Sequence, residues 1–166
     1  KKKKKQDNTN STLGSSNFDG TIQSTVKVNA SVGFSIVSYT GSGSTTTVGH
    51  GLGVAPKVVI VKRRSATEDW IVGIGPILGS GEEGHYVKLN STAAKATGNG
   101  PFNSTNPSSS VVTLGTDAAT NGSSSTYISY CFSEVAGYSK FGRYDGNNAN
   151  DGTFVFTGFS VAFLLI

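Results

Sequence analysis

An all-β fold, drawn as a jelly-roll-like β-sandwich, is what the sequence predicts, and three observations carry that expectation. Gly, Ser, Thr and Asn supply 75 of the 166 residues, a composition in which Thr suits strands, Gly, Asn and Ser suit turns, and helix formers are scarce. Apolar residues recur two apart, as at Ile22, Val26 and Val28 against Gln23, Thr25 and Lys27, which is the period of a half-buried strand. Turn signals break the chain at short intervals, among them Gly41-Ser42-Gly43, Gly79-Ser80-Gly81, Asn99-Gly100-Pro101, Asn121-Gly122 and Asp145-Gly146. About ten short strands spaced in this way argue for a sandwich.

Taken in order, residues 1–20 are polar, rich in Asn and Ser and without periodicity, and read as an N-terminal arm or linker. A single β-sandwich domain is expected over 21–166. Its strands are predicted at 22–28, 34–39, 57–62, 70–74, 85–90, 111–114, 126–132, 138–144, 153–156 and 160–166. Helical signal is confined to 91–97, where Ala93, Ala94 and Ala96 allow a turn or two. The stretch 98–110, with Pro101, Pro107 and a run of serines, reads as the longest surface loop.

An internal echo stands out. Gly33-Phe34-Ser35-Ile36-Val37-Ser38-Tyr39-Thr40-Gly41 is repeated in outline by Gly137-Tyr138-Ser139-Lys140-Phe141-Gly142-Arg143-Tyr144-Asp145-Gly146. Val54-Ala55-Pro56-Lys57-Val58-Val59-Ile60-Val61 is echoed by Val161-Ala162-Phe163-Leu164-Leu165-Ile166. Two strand-turn-strand-loop-strand units, about 33–62 and 137–166, are therefore expected to pack against one another or to take equivalent places in facing sheets. The first unit runs on into a basic and Asp-Trp stretch that the second lacks, so the chain reads as a segment of something longer.

Charge argues against a nucleic-acid binder. The net charge of +4 comes from Lys1 to Lys5, without which nine basic residues face ten acidic ones, and no basic face interleaved with aromatics is evident. Cys131 is the only cysteine, so no intrachain disulfide or thiolate cluster is expected, and Tyr130-Cys131-Phe132 reads as a buried strand. No apolar run approaches the ~20 residues that span a bilayer, so membrane insertion is not expected.

Candidate sites are sparse. His50, in Gly49-His50-Gly51-Leu52-Gly53, sits in a glycine-rich setting, but Pro56 and a β-branched run follow where a phosphate loop needs a helix, so a turn role is expected. Neither His50 nor His85 has a partner at metal-ligand spacing. Glu68, Asp69, Glu82, Glu83, Asp117, Glu134, Asp145 and Asp151 lie mostly beside turn residues, where solvated carboxylates are ordinary, and a glycosidase would need two of them to converge. No catalytic residue, cofactor site or metal site is expected. Asn-x-Ser/Thr sequons at Asn10, Asn29, Asn90, Asn103 and Asn121 follow from composition. Trp70 and Phe102 are the aromatics best placed for exposure, and they are the candidate contacts for a glycan or a protein partner.

Several blocks together resemble a domain of tailed-bacteriophage structural proteins, of the tail-fibre or capsid-decorating type common in aquatic phages. They are Gly33-Phe34-Ser35-Ile36-Val37-Ser38-Tyr39-Thr40-Gly41, Val48-Gly49-His50-Gly51-Leu52-Gly53-Val54-Ala55-Pro56-Lys57, Asp69-Trp70, and Tyr130-Cys131-Phe132 through Gly137-Tyr138-Ser139-Lys140-Phe141-Gly142. The resemblance covers about 30–166 and implies a non-enzymatic building block on the virion exterior, at the capsid surface, tail or fibre. It further implies a homo-oligomer, a trimer being favoured, in contact with other virion proteins. A carbohydrate-binding module that recognises host surface glycans is the alternative.

Overall fold

A computed structural model describes residues 14–166. Nine strands and three four-residue helices follow in order: β1 (Ser15–Asn17), β2 (Ser24–Asn29), β3 (Phe34–Thr40), β4 (Thr46–Gly49), β5 (Val58–Arg63), β6 (Ile71–Gly73), α1 (Gly75–Leu78), β7 (Tyr86–Lys88), α2 (Asn99–Phe102), β8 (Val111–Leu114), α3 (Ala118–Asn121) and β9 (Thr126–Phe132). The chain is all-β, as expected. Its layers are unequal: an antiparallel seven-stranded sheet in the order β1-β2-β3-β9-β5-β6-β7 faces a two-stranded sheet of β4 and β8, a division that does not establish jelly-roll wiring.

The register explains where the core lies. Val26, Val37, Ser129, Val61 and Ile71 stand side by side across β2, β3, β9, β5 and β6, and Val28, Ser35, Cys131, Val59 and Gly73 form the next row. These residues are buried or, at Gly73, half-buried, and they meet Val48, Leu52, Val112, Leu114, Ala119 and Phe102 from the second layer. Glycine matters where layers or strands crowd. Gly33 takes φ +68° between β2 and β3, where a Cβ would also press on the Ser133 carbonyl, and an added Cβ at Gly73 would lie 3.0 Å from the Phe102 ring.

Helix α3 is fastened to the large sheet by tyrosines that stack on each other with centroids 5.2 Å apart. Tyr39 donates to the Thr120 carbonyl at 2.7 Å, and Tyr127 donates to the Ala118 carbonyl at 2.7 Å. Both rings are thus buried with their hydroxyls satisfied, which is the condition for tyrosine in a core.

Four expectations need correcting. Residues 1–13 of the expected arm lie outside the described residues, but Ser15–Asn17 form β1, held because the strand pairs with β2 and Asn17 is buried. Residues 91–97 form no helix; Ala96 instead exchanges backbone hydrogen bonds with Tyr86 at 2.9 Å. The stretch 98–110 is not wholly a surface loop, because α2 lies within it and buries Pro101 and Phe102. The strands expected at 138–144, 153–156 and 160–166 are not formed. The repeat units therefore do not occupy equivalent places: β3 and β5 of the first are flanked on both sides, by β2 and β9 and by β9 and β6, which leaves the second unit no open ladder there. No helix among the described residues is long and apolar enough to cross a membrane.

Candidate functional site

The expected contact residues part company. Phe102 is only 3% exposed and belongs to the core, so its ring is not offered to a glycan. The physical reason is local: with no Cβ at Gly73, the β6 backbone lets the ring settle against the sheet.

Trp70 is half-buried and ringed by polar groups. Its backbone N–H donates to Asn90 Oδ1 at 3.0 Å, Asn90 Nδ2 donates to Asp69 Oδ1 at 3.0 Å, and Lys88 Nζ lies 2.7 Å from Asp69 Oδ2. The Lys88 ammonium, and after it the Asn90 amide, hold the Asp69 carboxyl below its usual range. Lys62 Nζ stands 5.9 Å from the Trp70 ring centroid, within cation–π reach, and donates to the Glu68 carbonyl at 2.5 Å. A half-buried flat ring with an ammonium group within cation–π reach, and a backbone held by a carboxylate-amide-ammonium chain beside it, is the kind of amphipathic surface on which a sugar can stack.

Four of the other candidate acids are engaged separately from one another. Glu68 pairs with Arg63 at 3.3 Å, Glu82 with Lys95 at 2.8 Å and with His85 at 3.2 Å, and Glu134 with Lys140 at 3.2 Å. Asp117 caps α3 by accepting the Ala119 N–H at 2.8 Å. Among the described residues no group of three or more His, Cys, Asp or Glu side chains comes together as metal ligands.

His50 is fully buried and works as a staple, which refines the expected turn role. The Leu52 N–H donates to Nδ1 at 3.2 Å, so Nε2 carries the proton and faces the Ser108 carbonyl at 3.2 Å. Burial lowers its pKa, against a smaller opposing pull from the Ser108 carbonyl.

The feature that site-by-site reasoning missed is a surface. On the face of the large sheet turned away from the core, Ile36, Tyr130, Ile60, Val72 and Val87 stand in one row, and Phe34, Phe132 and Val58 in the next. All but the buried Val72 are half-buried. Phe34 and Phe132 lie with centroids 4.9 Å apart, and Phe34 stacks on Tyr130 at 6.5 Å. The signal was available in the unbroken apolar run Val58-Val59-Ile60-Val61, since a strand with one solvated face alternates.

Beyond Phe141, whose ring packs on Phe132 at 6.1 Å, the chain carries apolar side chains into solvent. Phe154 is 85% exposed, Phe163 81% and Ile166 84%, and Val155, Phe156, Leu164 and Leu165 are exposed with them. Isolated exposed apolar residues are normal, but so many within residues 154–166 are an unusual concentration.

Neither a search of curated proteins nor one of solved structures gives a match. A family model described as a domain of unknown function, DUF7483, matches residues 8–166, and the chain is a member of that family.

Proposed function

We propose that the chain is a non-enzymatic structural module of a tailed-phage virion, part of its capsid surface, tail or fibre, which assembles through contacts with copies of itself. One observation carries the assembly: an apolar outer sheet face and an exposed, uncharged C-terminal segment on the same molecule. Each is the kind of surface that proteins bury in subunit contacts. The virion setting is supported by the resemblance of the Val48 to Lys57 and Tyr130 to Gly142 blocks to phage structural domains.

The test is sedimentation of the full chain from low micromolar to submillimolar concentration, together with antibody labelling of intact particles. An oligomer and labelled particle exteriors are expected. A monomer throughout the range refutes self-assembly, and unlabelled particles refute the virion assignment.

The Trp70 surroundings favour a second reading, a carbohydrate-binding module that recognises host surface glycans. A glycan array separates the two, since binding that disappears in Trp70→Ala with an unchanged unfolding midpoint supports recognition, and silence across the array removes it.

A further inference from the structure

Residues 153–166 contain no Asp, Glu, Lys or Arg. Within them Val161, Phe163 and Leu165 alternate with Ala162, Leu164 and Ile166, so a strand made here would be apolar on both sides. The same stretch echoes the sequence of β5, an interior strand of the large sheet. Gly158, at φ +83°, lies between 153–156 and 160–166 and supplies the backbone geometry of a turn. Two short strands joined there would satisfy part of each other's backbone and present a two-sided apolar hairpin.

The outer face of the large sheet has matching properties. Its centre is Phe34, Ile36, Tyr130, Phe132, Val58 and Ile60, with Lys27 and Lys62 only at its margins. The strands beneath are already paired on both sides, so a newcomer can be received as a covering layer but not as an inserted strand. Phe141 fixes the start of the second unit to one end of its own outer face, yet the segment beyond still holds Phe154 and Phe163 in solvent.

The geometry points to an exchange: residues 153–166 of one chain dock as a hairpin across the outer sheet face of a second copy. This rests on the self-assembly reading above and names the surfaces it uses. Among the described residues the sheet face is only half-buried and the segment is exposed, and a second copy covers both with complementary, uncharged contacts. Alternation turns about half of the exposed side chains toward the partner sheet; at roughly 150–250 Å² for each aromatic ring one hairpin buries on the order of 500 Å², and the reciprocal contact brings each copy to about the 800 Å² that one partner contributes to a stable interface.

The experiment places a photo-activatable benzoylphenylalanine at Phe156 in the full chain and mixes ¹⁵N-labelled with unlabelled protein before irradiation. Cross-links joining differently labelled peptides, with β3, β5 or β9 as acceptor, are expected. Links only between like-labelled peptides, or to other surfaces, overturn the exchange. In parallel, the double variants Phe154→Ser with Phe156→Ser, and Phe163→Ser with Leu165→Ser, are expected to weaken self-association about tenfold or more. At concentrations low enough for the parent to be monomeric, their unfolding midpoints should stay near that of the parent, because the altered side chains are solvent-exposed in the monomer. Oligomers that persist unchanged in both variants overturn the docking and leave self-assembly standing, whereas a parent chain that never associates overturns self-assembly and the docking with it.

Discussion

Asn121, at the end of α3, is the side chain on which the β3–β4 and β8–α3 loops converge, and its truncation gives the sharpest test of how these loops are held. Its Nδ2 donates to the Ser44 carbonyl at 2.7 Å and to the Gly115 carbonyl at 2.6 Å, while Oδ1 accepts the Ser42 N–H at 2.8 Å. Asn121→Ala removes all three hydrogen bonds. Each contributes about 1 kcal/mol net, so the expected loss is about 3 kcal/mol. The buried Gly115 carbonyl sits at the upper end of that scale, because water reaches it least. For a chain of this size 1 kcal/mol corresponds to roughly 2–4 °C, so the midpoint should fall by about 6–12 °C. Urea unfolding followed by the fluorescence of Trp70, the only tryptophan, measures the change. A loss below about 1 kcal/mol with an unchanged urea slope would refute the argument that these loops are fastened through one amide. The same burial means that the Asn121 sequon is closed to glycosylation in the folded chain.

Two further outcomes follow from buried groups. His50 has its folded-state pKa depressed by burial, so the unfolded chain binds the extra proton first; its contribution is complete above an unfolded pKa of about 6.5 and declines as pH falls through that value towards the folded pKa. The loss on acidification should flatten in His50→Gln, and a pH profile identical to the parent's would contradict the staple. The Cys131 thiol, fully buried, is pushed up to about 11 by desolvation, so a disulfide reagent should modify it only at the rate of unfolding. Rapid modification under native conditions would place the residue outside the core.

How much of this was legible in the sequence depended on where each strand finds its partner. Strands β3, β5 and β9 were readable because β-branched and aromatic residues mark them and turn residues bound them. Segments 153–156 and 160–166 carry the same marks and form no strand, because a strand exists only with a ladder and single-chain periodicity does not say whether a partner is free. β1 was hidden for the opposite reason: Ser15, Ser16 and Asn17 look like linker, and pairing with β2 alone makes them a strand. Phe102 was misplaced because Gly, Asn and Ser around it look like loop. The opening it fills, over Gly73, lies about thirty residues away in sequence and in no local pattern.

Trp70 and the outer face are one surface, and this brings the two functional readings into competition. Alternation along β6 puts Trp70 on the same side as Val72, while Lys62 shares the outer side of β5 with Ile60; the Leu89 N–H donates to the Trp70 carbonyl at 3.0 Å. The face therefore runs from Phe34, Phe132 and Phe141 at one end to Lys62 and Trp70 at the other. A hairpin laid along it reaches or borders the indole, so docking and glycan stacking would exclude each other at the Trp70 end. Assembly should then shift the Trp70 emission to the blue and suppress any glycan binding in proportion to the oligomer formed. A module that bound glycans undiminished when fully assembled would need its copies to meet elsewhere, and the hairpin would have to find another surface.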